Sequence, residues 1–243
     1  MPEGPSIVLL KEATQHLKHK TILEASGYGK LDMDKLSGRK ITDIRSWGKH
    51  FLICCSDFTL KIHFGLFGSY TINEKKRINP KLALHFSNED LNFYVCTAKL
   101  IEQPLDEIYD WESDVMSEHW KPDKALKKIE AKPTAMICDL LLDQNIFAGV
   151  GNIIKNEVLY RCKVHPESII SYIPKARLKS IISEARKYSF DFLKWKRNKE
   201  LSRHFEVYEQ KTGKTNGGTV TRKDTGKTRR HSYFIEKIQK RYS

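Results

Sequence analysis

The first five residues, Met1-Pro2-Glu3-Gly4-Pro5, set a nucleophile beside an acid. A small second residue favours removal of the initiator Met, after which Pro2 would carry a free secondary amine. An α-amino group titrates near pH ~8 and a lysine near ~10.4, so at neutral pH roughly a tenth of the former is unprotonated and far less of the latter. Attack of a secondary amine on an aldehyde-like carbon gives an iminium. Its fixed positive charge is an electron sink for a second step. Glu3 is placed to give or take the protons. On residue types alone, a plain N-terminus with helix-excluding prolines is the competing reading.

Three internal stretches could hold an anion. Gly48-Lys49-His50 precedes a strand-like run. His63-Phe-Gly-Leu-Phe-Gly68 puts a histidine at a strand end, followed by Leu66 and Phe67 between glycines. In Asp143–Glu157, Gly149 and Gly151 permit a tight turn and Asn152 opens the next helix. Backbone N–H groups at a helix start, with an amide beside them, make a phosphate site. Singly these features have blander readings: a solvated turn lysine, a satisfied strand-end histidine, core residues and a helix-packing turn.

The periodicities indicate which elements position these groups. Lys40–Arg45, His50–Cys55, Phe58–His63 and Leu91–Cys96 alternate or run apolar and read as strands. Ile7, Leu10, Ala13 and Leu17 predict a helix after the N-terminus. Residues 111–122 break both periods and read as a linker. From Asp123 the period becomes helical, and 171–200 is helical again with Arg177, Lys179, Arg186 and Lys187 on its polar side. A β-rich half followed by a helical half predicts an α+β chain of two domains.

Of 243 residues, 40% are hydrophobic and the net charge is +13, which calls for a polyanionic partner, nucleic acid ahead of a membrane surface. No apolar run is long enough for a membrane span and no signal-peptide core is evident. Cys54, Cys55, Cys96, Cys138 and Cys162 are odd in number and lack C-x-x-C spacing, which predicts buried thiols in a reducing, intracellular compartment and no zinc. The tail from Lys211 to Ser243 carries ten Lys or Arg against Asp224 and Glu236, with turn formers between two strand-like runs. It reads as a β-hairpin, with a disordered basic arm as the alternative.

Along its whole length the chain resembles the formamidopyrimidine-DNA glycosylase and endonuclease VIII (Fpg/Nei) family. The resemblance implies an N-terminal β-sandwich with a flanking helix over 1–110, a linker over 111–122, a helix–two-turn–helix domain over 123–206 and a finger hairpin over 207–243. It makes Pro2 the nucleophile and Glu3 the general acid. Lys49, His63 and Asn152 would contact phosphates, and Leu66 and Phe67 would fill the duplex where a damaged base leaves. Many members carry a second Glu where this chain has Ser6. The Fpg-type Arg-Phe loop is not found between Lys81 and Glu102, and Asn198–Phe205 is short, both of which tilt toward a Nei-type enzyme.

The four zinc-cysteine positions of the family finger fall here on Thr215, Gly218, Ile235 and Ile238, none able to ligate. Gln239 follows in place, and Arg230 falls on the finger's key Arg, with Arg229 as the neighbour if the register slips. This resembles the zincless finger of some Nei-like glycosylases. The implied activity is a bifunctional DNA glycosylase and AP lyase for oxidised bases, pyrimidine-leaning, working as a monomer on DNA with no membrane partner and no cofactor. A purine-type enzyme of the same family and a catalytically silent DNA binder are the alternatives.

Overall fold

The computed structural model describes residues 2–213 and 218–243. They fall into two compact units, Met1–Tyr109 and Asp110–Ser243.

The first unit opens with α1 (Gly4–Thr14), followed by β1 (Glu24–Gly27), β2 (Asp43–Trp47), β3 (His50–Cys54), β4 (Thr59–His63), β5 (Ser69–Ile72), β6 (Leu82–His85), β7 (Asp90–Tyr94), β8 (Thr97–Ile101) and the single turn α2 (Leu105–Ile108). The strands form two antiparallel sheets, ordered β2-β3-β4-β8 and β1-β6-β7-β5. Phe51, Ile53, Leu60 and Ile62 from one sheet and Leu82, Leu84, Leu91 and Phe93 from the other share one core. The Phe51 and Phe93 rings meet across it at 6.1 Å. That is a β-sandwich, and Ile7 and Leu10 of α1 pack into it. Sequence periodicity locates β2, β3, β4 and β7. It misses β1, β5 and β8, which lie at sheet edges and bury no clean alternating face, and also the inner strand β6, whose four residues are too few to show a period.

The second unit contains α3 (Pro122–Glu130), α4 (Ile137–Leu142), α5 (Asn152–Arg161), α6 (Lys175–Arg197) and the hairpin β9 (Thr221–Thr225) and β10 (Arg230–Phe234). Residues 111–122, expected as a linker, are instead packed. Ser113, Asp114 and Val115 are buried and Trp120 nearly so, while backbone bonds tie Val115 N–H to Ala148 O and Ala148 N–H to Ser113 O at 3.1 and 2.8 Å. Val115 and Trp120 fill the helical core, but they are isolated among charged residues and give no period. Arg186, expected on the solvated side of α6, donates Nη1 to Val115 O and Ser117 O at 2.9 and 2.8 Å.

α5 is buried on all sides from Asn152 to Tyr160, although it carries Asn152, Lys155, Asn156 and Glu157. Buried polar groups need internal partners, and here residues 206–208 and β10 supply them. The hairpin, expected as a domain of its own, packs Ile235 against Tyr160 of α5 and Val207. It therefore belongs to the same compact unit as the helices.

Candidate active site and nucleic-acid interface

Glu3 is fully buried at the N-cap of α1, and Pro2 ahead of it stays partly accessible. A carboxylate at this end of a helix is favoured by the orphan N–H groups and the dipole. Pro5 lies in the first turn, where the missing N–H has no helical acceptor to lose. Glu3 and Ser6 form a reciprocal capping box, in which the Glu3 N–H reaches Ser6 Oγ at 3.5 Å. Ser6, the departure from the family's second Glu, thus fixes the start of α1. Met1 lies outside the described residues.

Lys49 occupies the two-residue turn of the β2–β3 hairpin after Gly48, whose φ of +51° favours glycine. Around it lie aromatic and imidazole rings. His50 meets His63 edge-on at 5.4 Å, and Trp47 packs tilted at 4.8 Å against Tyr109, whose hydroxyl bonds His50 Nδ1 at 3.1 Å. Burial, helped by Lys61, His63 and Lys49, lowers the His50 pKa to about 4. Burial and then Lys49 and Lys61 lower that of His63 as well. Both rings are held toward the neutral form, in which each can donate only one N–H. The structure therefore brings Lys49 and His63 to one corner, together with Trp47, His50 and Tyr109, which sequence reasoning did not assign.

Leu66 and Phe67 project from the β4–β5 loop, Phe67 with 82% of its surface exposed. Both are outside the core, contrary to the bland reading. Gly65 has φ +58°, and a Cβ on Gly68 would fall 2.3 Å from Phe64 O. The loop is therefore built on two positions that a larger residue would strain. His63 pairs with Thr97 and Ser69 with Tyr94, so the β7–β8 turn runs beside this loop. Its Val95 is 55% exposed with φ +51°, a conformation that a β-branched residue rarely tolerates. No sequence signal marks Val95.

In the second unit, Gln144 clamps the turn between α4 and α5: its Nε2 donates to Leu142 O and Val150 O at 2.8 and 3.1 Å, and Gly149 N–H reaches its Oε1 at 3.1 Å. Asn152 then begins α5. Its Nδ2 donates to His231 O at 3.0 Å, and the same carbonyl receives Lys155 Nζ at 3.2 Å and Asn156 Nδ2 at 3.4 Å. Lys155, fully buried, also reaches Ser232 Oγ at 2.9 Å. In return, Asn156 Oδ1 accepts the Tyr233 N–H at 2.9 Å. The amide of Asn152 thus holds β10, whose first residue is Arg230. Arg229, the register alternative, sits in the hairpin turn with φ +48°.

The finger's metal positions hold a small core instead. Ile235 is buried with Tyr160 and Val207, and Ile238 packs beside them. A Cβ on Gly218 would come within 2.8 Å of Ile235 Cγ2, so the glycine makes room for it. Thr215 lies outside the described residues. The donor set does not fit zinc, since none of the other three positions offers thiolate or imidazole. Gln239 ties the finger down, accepting the Ile235 N–H at 3.0 Å and donating to Val164 O at 2.8 Å. Glu157 accepts three N–H groups, from Glu206, Val207 and Tyr208, at 2.8–3.1 Å. Burial pushes its carboxyl up against those bonds.

Residues 1–99 match the family profile of the formamidopyrimidine-DNA glycosylase N-terminal domain, and 112–188 match that of the formamidopyrimidine-DNA glycosylase H2TH domain. The chain belongs to the Fpg/Nei family. It is 28% identical to endonuclease 8-like 3 of Xenopus laevis over 90% of this chain and 38% of that relative. It is 35% identical to endonuclease 8-like 2 of Mus musculus over 62% of this chain and 48% of the relative. The chain thus spans less than half the length of these curated relatives. Formamidopyrimidine-DNA glycosylase of Lactococcus lactis, solved with AP-site DNA, superposes with a TM-score of 0.87 at 19% identity, covering 98% of this chain and all of that one. A viral DNA glycosylase gives 0.83 at 19% identity, with the same coverage. As an Fpg/Nei fold, the chain carries its own variations at Ser6 and the finger core.

Proposed function

We propose that the protein is a bifunctional DNA glycosylase and AP lyase of base excision repair, acting as a monomer on oxidised bases, pyrimidines foremost. The carrying observation is the fully buried carboxylate of Glu3 at the head of α1, directly behind an accessible Pro2. The Pro2 amine attacks C1′ of the extruded nucleotide: the N–C1′ bond forms as the C1′–base bond breaks, the amine proton goes to the departing base, and cleavage of C1′–O4′ then gives the iminium. Glu3 protonates the sugar oxygen as the ring opens. The cationic iminium acidifies the C2′ proton, and its loss expels the 3′ phosphate by β-elimination, with δ-elimination to follow. Lys49, neutral His63, Asn152 and Arg230 position the backbone and stabilise the leaving phosphate.

Leu66 and Phe67, with Val95 beside them, fill the space of the extruded base, since unstacking costs a few kcal/mol. The pyrimidine preference is supported by the tight β7–β8 turn and the short passage from α6 to the finger, which leave little room for extra loops. The endonuclease 8-like names of the relatives support it too. Lactococcus lactis Fpg has been solved with oxidised-pyrimidine DNA and with abasic-site DNA, which supports the substrate class. Five unbridged thiols support a reducing compartment.

Borohydride trapping on abasic duplex tests this reading. Protein processed to Pro2 should cross-link, and protein that retains Met1 should not, while binding stays within a few fold. Full cross-linking by the Met1-retained form would remove Pro2 from the mechanism. DNA binding with no trapping in either form would make the protein a silent binder.

A further inference from the structure

Between α3 and α6 lies a groove of about 690 Å³ that none of the steps above uses. Its apolar lining is Trp120, Leu126, Ile182 and Phe190, and Lys179 and Lys187 flank it. Lys179, Ser183, Lys187 and Phe190 recur along one face of α6. At 1.5 Å per residue, that face runs ~16 Å, about three helical turns. Cavities of this size and lining take apolar side chains with a few fixed polar contacts. One wall is rigid, because Arg186 is anchored on the carbonyls of Val115 and Ser117 and covers the Phe190 ring at 5.1 Å. Phe190 nevertheless remains 43% exposed.

Several lysines near this face are neutralised by carboxylates. Lys124 and Lys128 pair with Asp110, Lys132 with Asp143 and Lys175 with Glu130. Among the described residues, Lys179 and Lys187 have no such carboxylate, and Asp123 is the one acid lining the groove. An occupant should therefore supply carboxylates to the rim and apolar side chains to the floor. We infer that the groove docks an acidic amphipathic helix of a partner protein, its leucine or aromatic stripe on the exposed Phe190 ring and its carboxylates at Lys179 and Lys187. A nucleic-acid backbone would leave the exposed Phe190 ring uncovered, so a helix is the better fit. The inference is independent of the proposed catalysis.

The test uses the intact protein and a labelled synthetic peptide of about four helical turns, with leucine and phenylalanine on one face flanked by glutamates. Fluorescence anisotropy should show saturable binding. The Lys179→Glu/Lys187→Glu variant should weaken it about tenfold or more, as should Phe190→Asp, and a same-composition peptide with the stripe scrambled should bind at least about tenfold less well. Cleavage of abasic DNA should be unchanged in both variants. Equal binding of the scrambled peptide, or wild-type affinity in both variants, overturns the proposal. So does a duplex that displaces the peptide and loses affinity equally in the double-lysine variant, since the groove would then be a nucleic-acid surface. The lysine pair is solvent-facing, so that variant decides the matter if Phe190→Asp fails to fold.

Discussion

The Lys49–His63 corner and the α5–finger junction are proposed to hold phosphate, but they are built in opposite ways. In the first, Lys49 projects from a two-residue turn and His63 from a strand end, and the adjoining turns are shaped locally by Gly48, Gly65 and Gly68. In the second, a buried amide, a buried ammonium and a second amide converge on one carbonyl, His231 O, from residues 75 to 79 positions away. A local turn can lose a side chain and keep its backbone. A long-range junction that loses one donor loosens the strand that carries Arg230. Substitutions in the first region should therefore act on chemistry and charge, and those in the second on fold and positioning together.

The largest effect is expected at the catalytic end of this contrast. Glu3→Gln keeps the cap on α1 and should reduce base excision by roughly 10²–10⁴ with little change in affinity. Single-turnover rates on damaged duplex measure it, and an unchanged rate would take Glu3 out of the chemistry. At the other end, Ile235→Ala should destabilise the second unit by about 2–4 kcal/mol, because the finger core closes around that side chain. A chelator should leave the melting temperature of the wild type unchanged. Unfolding by the chelator would mean that metal and not packing supplies the energy.

A paired measurement sharpens the comparison further. Lys49→Ala should flatten the log–log salt dependence of DNA binding by roughly one unit and leave urea stability alone. Lys155→Met should do the reverse, costing about 1.5–3 kcal/mol of stability as a charged donor is lost from His231 O and Ser232 Oγ. If Lys155→Met changes the salt slope and not the stability, the ammonium contacts DNA and the junction has been misread.

Smaller in size is the effect of pH. His50 has a folded pKa lowered to about 4 by burial, below its value near ~6.5 in an unfolded chain. The unfolded state therefore binds the proton more readily as pH falls. The stability that neutral His50 contributes is complete above pH ~6.5 and is lost on the way down toward 4. Urea midpoints across that range should fall less steeply in His50→Gln, which keeps an acceptor for the Tyr109 hydroxyl. An identical slope would assign the titration elsewhere. The smallest effect is expected at Val95→Gly: relief of its φ of +51° should raise stability by a few tenths to 1 kcal/mol. If Val95 fills the extruded-base space, excision should fall nonetheless; excision that rises along with stability would make the strain incidental.

Much of this protein was determined by local sequence. Pro2 and Glu3 are adjacent by covalent connection, Gly48-Lys49 makes a hairpin turn by backbone preference, and Gly149 through Asn152 turn the chain and start a new helix within four residues. Each of these is a short-range event governed by φ/ψ and hydrogen bonds to near neighbours, so residue types and spacing suffice to read it. The absence of zinc ligands at Gly218, Ile235 and Ile238 is equally legible, because coordination depends on side-chain chemistry before geometry. Tertiary structure alone decided the rest. That residues 111–122 are core and not linker depends on Val115 and Trp120 finding partners in distant helices. That the Asn152 amide holds His231 O, that Lys155 is buried, and that Tyr109 closes on His50 depend on segments whose separation in sequence leaves no periodic trace. Burial of polar groups is satisfied by whatever the fold brings alongside, and a single sequence does not encode that meeting in any local pattern.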